Sequence, residues 1–281
     1  MCAEKENPTP VLKAEKIRVI FNEQEDDEVE AVRDVSFELY GRETLAIVGP
    51  SGCGKSTLFN VIAGLIPATS GTVVVNDKLV EAATGQVGYM LQKDLLLPWR
   101  SVLDNVVLGL EVRGTDSAQA REIALRLIKS YGLAGFENAK PATLSGGMRQ
   151  RVAFMRTLAI DPDVVLLDEP FSALDFQTRL QLQADVMRII HERGKSSILV
   201  THDIGEAITM ADRILVMSAR PGTVRAFHDI PLGRNERNPV TVRATPAFSR
   251  LFATIWEELG VQLSPSSPAD DHTEPSPSAA E

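Results

Sequence analysis

Cysteine is nearly absent from this 281-residue chain, which carries only Cys2 and Cys53. Cys53 falls inside a glycine-rich loop where a structural disulfide would be a hindrance, so a reducing compartment is expected and a disulfide scaffold is excluded. Long apolar runs are missing too. No stretch approaches the roughly 18 residues that spanning a bilayer requires, and Met1 to Pro10 is polar, without the hydrophobic region of an export signal. The expectation is a protein made in the cytosol and kept there, reaching any membrane through a partner. Basic residues are in deficit: 29 Lys and Arg stand against 38 Asp and Glu, a net charge of -9. No broad cationic surface is available to neutralise phosphates, so no nucleic-acid partner is expected. No internal repeat is evident. What remains is an ordinary globular composition, 44% hydrophobic, sufficient for one large core or two modest ones.

Residues Leu12 to Leu39 read as two or three short strands, with the acidic stretch Glu23 to Glu30 as a solvated turn between them. Thr44 to Val48 is a continuous apolar run ending at Gly49, which suits a strand buried on both faces of a parallel sheet, with a helix opening beyond the loop. From about Leu91 to Asp161 helical spacing takes over, clearest at Ile123, Leu127 and Ile128, and predicts a separate helical subdomain. Strand-like runs return at Val164 to Leu167, Ser197 to Val200 and Ile214 to Met217, alternating with helical stretches at Gln177 to Arg193 and Asp203 to Ala211. That alternation predicts a parallel α/β sheet. Phe248, Leu251, Phe252, Ile255 and Leu259 share a helical face, so Ala247 to Leu259 is expected to pack on the body. Beyond Leu263 only Ser, Pro, Asp, Glu, Ala and similar small or polar residues follow, and residues 264–281 are expected to form a disordered acidic tail.

Gly49-Pro50-Ser51-Gly52-Cys53-Gly54-Lys55-Ser56-Thr57 satisfies G-x-x-x-x-G-K-[ST] between a buried strand and a helical run, the context this pattern needs. Its glycines let successive N–H groups and a helix N-terminus face phosphate oxygens, Lys55 reaches the β- and γ-phosphates, and Ser56 offers a hydroxyl to Mg²⁺. At the end of the Val164 strand, Asp168 and Glu169 place two carboxylates where ligands bind in open parallel sheets. Asp168 is suited to Mg²⁺ and its water shell, and Glu169 to polarising the attacking water. A guanine-reading Asn-Lys-x-Asp string, the mark of a GTPase, is lacking.

Leu144-Ser145-Gly146-Gly147-Met148, followed by Arg149-Gln150-Arg151, resembles the signature motif of ATP-binding-cassette (ABC) ATPases. A Ser hydroxyl and two Gly N–H groups opening a helix form a second anion site. The resemblance runs from about Leu12 to Leu259 and implies a P-loop NTPase (RecA-like) parallel-sheet core, an antiparallel β subdomain and an inserted α-helical subdomain. On this reading the cassette covers residues 11–263 and the helical insert about 92–161. The family's remaining positions match Phe21 for the aromatic that stacks adenine, Gln92 for the loop that senses Mg²⁺ and the partner, Asp175 for the dimer-crossing loop, and His202 for a γ-phosphate contact. Two departures stand out: Met148 where many members have Gln, and Phe21 where Tyr is commoner. The resemblance also implies that two chains pair head to tail around two ATP molecules, Lys55 of one and Ser145 of the other gripping each triphosphate.

Around Gln92, the string Leu95-Leu96-Leu97-Pro98-Trp99, with Met148 and Met217-Ser-Ala-Arg-Pro-Gly222, looks like the nitrate, sulfonate and taurine importer branch. Such a subunit would sit on the cytoplasmic side of the membrane, held by two permease subunits and served indirectly by a solute-binding protein. Exposed Leu96, Leu97 and Trp99 would line the groove for the permease; the bland alternative is that they pack the subdomain interior. Two rivals stay open. An ATPase of a lipid transporter or exporter would share every ATP-site residue, and a soluble cassette ATPase of nucleic-acid maintenance would need arms, inserts or basic linkers that this chain lacks.

Overall fold

The computed structural model describes residues 9–23, 27–83, 85–233 and 237–260. The expected acidic tail, and Cys2, lie outside the described residues.

Two sheets organise the chain. The first is antiparallel, in the order β2-β1-β4-β5, built from β1 (Pro10–Phe21), β2 (Val29–Tyr40), β4 (Ser70–Val75) and β5 (Lys78–Leu79). The second runs β10-β9-β3-β8-β7-β6 and comprises β3 (Thr44–Val48), β6 (Val87–Met90), β7 (Val164–Asp168), β8 (Ser196–Thr201), β9 (Arg213–Met217) and β10 (Val224–Asp229). Within it, β10 pairs antiparallel with β9 and the other neighbours are parallel. The chain is therefore α/β with an added antiparallel sheet.

Residues 12–39 form two long strands rather than two or three short ones. Bulges in the β1–β2 register interrupt the clean alternation that would have marked each as one piece. The expected solvated turn is also shorter than Glu23 to Glu30. Glu30 already lies in β2, where Arg33 and Arg18 hydrogen-bond its carboxylate and hold its pKa down at about 2.

The parallel strands are buried on both faces, which is why they read as unbroken apolar runs. In β7, Val164 and Leu166 join the core shared with the antiparallel sheet and helix α1 (Lys55–Ile62), whereas Val165 and Leu167 join the core on the opposite face. The same alternation splits Leu45 and Ile47 of β3 from Ala46 and Val48. Burying side chains of this kind contributes about 1.5–3 kcal/mol each.

Between β6 and β7 the chain is helical: α2 (Val102–Val112), α3 (Ser117–Ser130) and α4 (Gly146–Ala159). The remaining helices are α5 (Phe176–Glu192), α6 (Ile204–Met210) and α7 (Pro246–Leu259), the last burying Phe248 and Ile255. Among the described residues no helix is long and apolar enough to cross a membrane.

Candidate functional site

Register brings the candidate residues to one sheet edge. Met90 is opposite Leu167, Asp168 opposite Val200, and Val48 opposite Thr201. The loops leaving β6, β7, β8 and β3 therefore emerge together, carrying Gln92, Glu169, His202 and the Gly49–Thr57 loop.

The loops after β3, β6 and β7 line a cavity of about 410 Å³ through Ser51, Gly52, Gly54, Lys55, Ser56, Thr57, Gln92, Asp168 and Glu169, with Phe21, Val29, Ala31 and Arg220 completing it; Gly49, Pro50, Cys53 and His202 are not among the described residues that line it. Phe21, at the end of β1, is 42% exposed and lines this cavity rather than packing in the core. Gly54 takes a left-handed conformation at φ 101, and a Cβ there would lie 2.6 Å from the Ala31 carbonyl oxygen. Only glycine fits that approach of the loop to β2. Lys55 is buried, its ammonium donating to the carbonyls of Gly49 at 2.8 Å and Pro50 at 3.0 Å. That folds the cation beneath the curl of the loop.

Burial raises the pKa of the Asp168 carboxyl, and hydrogen bonds from the Ser56 and Tyr89 hydroxyls oppose the rise. The Tyr89 contact measures 3.2 Å. Ser56 and Asp168 thus form an adjacent hydroxyl–carboxylate pair, the oxygen donors Mg²⁺ prefers when phosphate and water supply its remaining ligands. Among the described residues no group of three or more His, Cys, Asp or Glu forms a closed metal cage. The donor set fits a cation bound jointly with a phosphorylated substrate.

Glu169 is clamped. Its Oε2 accepts from Gln92 Nε2 at 3.0 Å, and its Oε1 lies 3.1 Å from His202 Nδ1. The residue sits at φ 43, uncommon for a non-glycine. Its backbone is held by its N–H donating to Val200 O at 2.9 Å and by the Ser172 hydroxyl donating to its carbonyl at 3.0 Å. Such over-determined backbone strain is typical of functional positions.

Ser145, Gly146, Gly147 and Asp175 are not among the described residues lining this cavity. Ser145 caps α4 by accepting from Met148 N–H at 3.3 Å, and Asp175 caps α5 by accepting from Thr178 N–H at 3.1 Å. The chain thus presents its second anion-suited helix start apart from the first, as two half-sites would require.

The groove expectation needs correction. Leu96 is buried in the core and Leu97 is half-buried; Leu95 and Trp99 are exposed, Trp99 at 70%. Buried Asn105 sets this pattern by accepting from Leu97 N–H at 2.8 Å and donating to Ser101 O at 2.9 Å. The segment coils over α2 and turns Leu96 inward.

Sequence reasoning missed Tyr89 and Arg220. Tyr89 carries no motif signal, since its contact depends on the β6–β7 register. Arg220 lay inside a string noticed only for its resemblance.

Comparison with known proteins identifies the family. Residues 32–172 match the ABC transporter family model. The chain is 47% identical over 229 residues to the uncharacterized ABC transporter ATP-binding protein YtlC of Bacillus subtilis, covering 82% of this chain and 88% of that protein. It is 41% identical over 249 residues to the taurine import ATP-binding protein TauB of Rhizobium johnstonii, covering 89% and 95% respectively. Among solved structures, the dimeric post-hydrolysis state of the ATP-binding cassette MJ0796, bound to ADP and Pi, superposes with a TM-score of 0.69 at 30% identity. That match covers 79% of this chain and all of the other. The chain belongs to the ABC transporter family as one of its ATP-binding proteins, coupling ATP hydrolysis to transport.

Proposed function

We propose that this subunit works as a homodimer on the cytoplasmic face of a membrane and powers uptake of taurine, a related sulfonate or nitrate through two permease subunits. The observation that carries the hydrolytic part is the clamp on Glu169. A carboxylate held from both sides by Gln92 and His202, at the mouth of a phosphate-binding loop, is placed to orient and deprotonate a water attacking a γ-phosphate. Lys55 and the loop N–H groups hold the phosphate chain, and Phe21 stacks on adenine. When bound, Mg²⁺ would neutralise charge on the β- and γ-phosphates from Ser56, Asp168 and the Gln92 side.

Supporting the dimer is the placement of Ser145, Gly146 and Gly147 away from the cavity, where they are available to a second chain's triphosphate. Asp175 stands beside that surface at the start of α5. Supporting the permease contact is the exposed pair Leu95 and Trp99, held on the loop that carries Gln92. Similarity to the taurine import protein supports the choice of solute.

The test is the native complex in proteoliposomes with its solute-binding protein and labelled taurine, alkanesulfonate and nitrate. ATP-dependent accumulation of one of them, abolished by Lys55→Ala, is expected. Outward movement of lipid or drug with no accumulation of these anions would refute the importer reading.

A further inference from the structure

Among the described residues, Arg220 is the one charged residue lining the nucleotide cavity to which the family motifs assign no role. It lies on the turn between β9 and β10, within Met217-Ser-Ala-Arg-Pro-Gly222. That turn is docked firmly. The N–H of Gly222 donates to Ala31 O at 3.0 Å, and the N–H of Arg33 donates to Gly222 O at 2.9 Å. A Cβ on Gly222 would stand 2.1 Å from the Cys53 carbonyl oxygen, so the turn presses directly on the phosphate loop. Across the turn, the Ser218 hydroxyl accepts from Thr223 N–H at 3.0 Å.

From this base Arg220 Nε donates to the Gly52 carbonyl at 3.2 Å. Its Nη2 lies 3.8 Å from the point a Cβ on Gly52 would occupy. The Nη groups form no hydrogen bond or ion pair within the described residues. Phe21 is paired with Val29 across the β1–β2 hairpin, and Val29 and Ala31 form a wall of the cavity. Arg220 therefore stands on the cavity wall with Phe21 and the phosphate loop, its Nε tied to Gly52 and its two Nη groups uncommitted among the described residues.

A guanidinium is always charged and matches phosphate oxygens two at a time. Placed at the rim of a cavity that receives a polyanion, with Nε tied to the loop, its open Nη edge has one complementary group in reach. We propose that Arg220 is a nucleotide-binding residue that grips the phosphate chain from the β2 side of the loop, a second cation beside Lys55. The proposal rests on reading this cavity as the ATP site. None of the hydrogen bonds around Glu169 involves Arg220, so its contribution falls on binding, in KM rather than kcat.

Equilibrium titration of the full-length chain with ATP and GTP, and competition by inorganic tripolyphosphate, would test this in Arg220→Gln and Arg220→Lys, with Lys55→Ala as reference. Arg220→Gln is expected to weaken ATP, GTP and tripolyphosphate alike by about 10- to 100-fold, the range of a charge-assisted hydrogen bond. The salt dependence of affinity should become shallower, since one screened charge pair is gone. Arg220→Lys should recover part of the loss. Affinities within twofold of wild type, while Lys55→Ala binds weakly, would overturn the proposal and spare the site. A loss confined to ATP would assign Arg220 to the base and overturn it as well. So would an equal loss in both variants with an unaltered salt slope, the mark of a residue that merely braces the loop. Full affinity in Lys55→Ala would instead bring down the site reading beneath it.

Discussion

Replacing Glu169 by Gln isolates the water-activating step, because the amide keeps the volume of the carboxylate and most of its contacts. Its oxygen can still accept from Gln92 Nε2, found at 3.0 Å, and its NH₂ can face His202 Nδ1, now 3.1 Å from Oε1. What disappears is the capacity to take a proton. General-base assistance is worth about 10²- to 10⁴-fold, or roughly 3–5 kcal/mol of barrier. Phosphate release by Glu169→Gln should fall by that factor while ATP affinity stays within a few-fold, and ATP should now drive a persistent dimer visible by light scattering.

The clamp geometry sharpens this through a double-mutant cycle. His202→Ala removes one of the two groups that fix the carboxylate, and a misplacement of that kind costs on the order of 10- to 100-fold. Once Glu169 is Gln, there is no base left to misplace, so the double variant should hydrolyse ATP no more than about threefold slower than Glu169→Gln alone. Near-normal turnover in Glu169→Gln, or fully additive losses in the double variant, would refute the assignment of His202 as a group acting through Glu169.

Two further outcomes concern residues beneath the site. Asn105 is fully buried and bonds both the N–H and the carbonyl of Leu97 as well as the carbonyl of Ser101. Asn105→Ala should therefore cost about 2–4 kcal/mol in chemical denaturation, because it strands buried backbone groups, and the Leu95–Trp99 loop should become more susceptible to proteolysis. Glu206 is buried in α6, where burial raises its pKa against a hydrogen bond from the Thr201 hydroxyl at 2.7 Å. A carboxyl with a raised folded-state pKa is fully stabilising only below the ordinary glutamate range, and that stability is lost as pH climbs through the raised value. Denaturation of wild type and Glu206→Gln across pH 4–8 should show the difference shifting toward the variant as pH rises; a pH-independent difference would contradict it.

The strands most legible in the sequence are those whose physics leaves least choice. β3, β7, β8 and β9 are sealed on both faces over their middles, so each carries an unbroken apolar run of three or four residues, with polar or charged residues confined to the strand ends. β10 is different. Val-Arg-Ala-Phe-His-Asp alternates half-buried and exposed positions along the sheet edge, and its charges match those of a loop. β6 spans four residues, too short for a period to register. Within the site, the phosphate loop and the Asp168–Glu169 pair are written in contiguous residues. Tyr89 reaches Asp168 only through strand register, and Arg220 reaches the cavity only through a docked turn, neither of which a linear pattern encodes. Leu96 shows the same limit, since its inward turn follows from the Asn105 contacts rather than from hydropathy.

The segment after β6 ties the Glu169 site to α4 and to the Trp99 surface proposed to meet the permease. Gln92 touches Glu169, and two residues later the Asp94 carboxylate accepts from Arg149 Nε of α4 at 3.1 Å. Arg156, also on α4, donates to the carbonyls of Asp94 at 2.7 Å and Leu95 at 2.8 Å. Arg149 in turn donates to the Leu144 carbonyl at 2.8 Å, beside the Ser145 cap. One short loop is thus fastened at one end to the Glu169 carboxylate and along its length to α4, the helix that Ser145 caps. Its exposed tip is Trp99, and Asn105 stiffens the base. A displacement of Gln92 by even a fraction of an ångström cannot be absorbed within a loop so pinned, and must move α4 or the Trp99 surface with it. Arg156→Ala, which removes the two backbone anchors of the loop on α4 and leaves the Arg149–Asp94 pair in place, should leave ATP binding by the isolated chain intact and weaken its coupling to transport in the reconstituted complex; full coupling in that variant would place the mechanical path elsewhere.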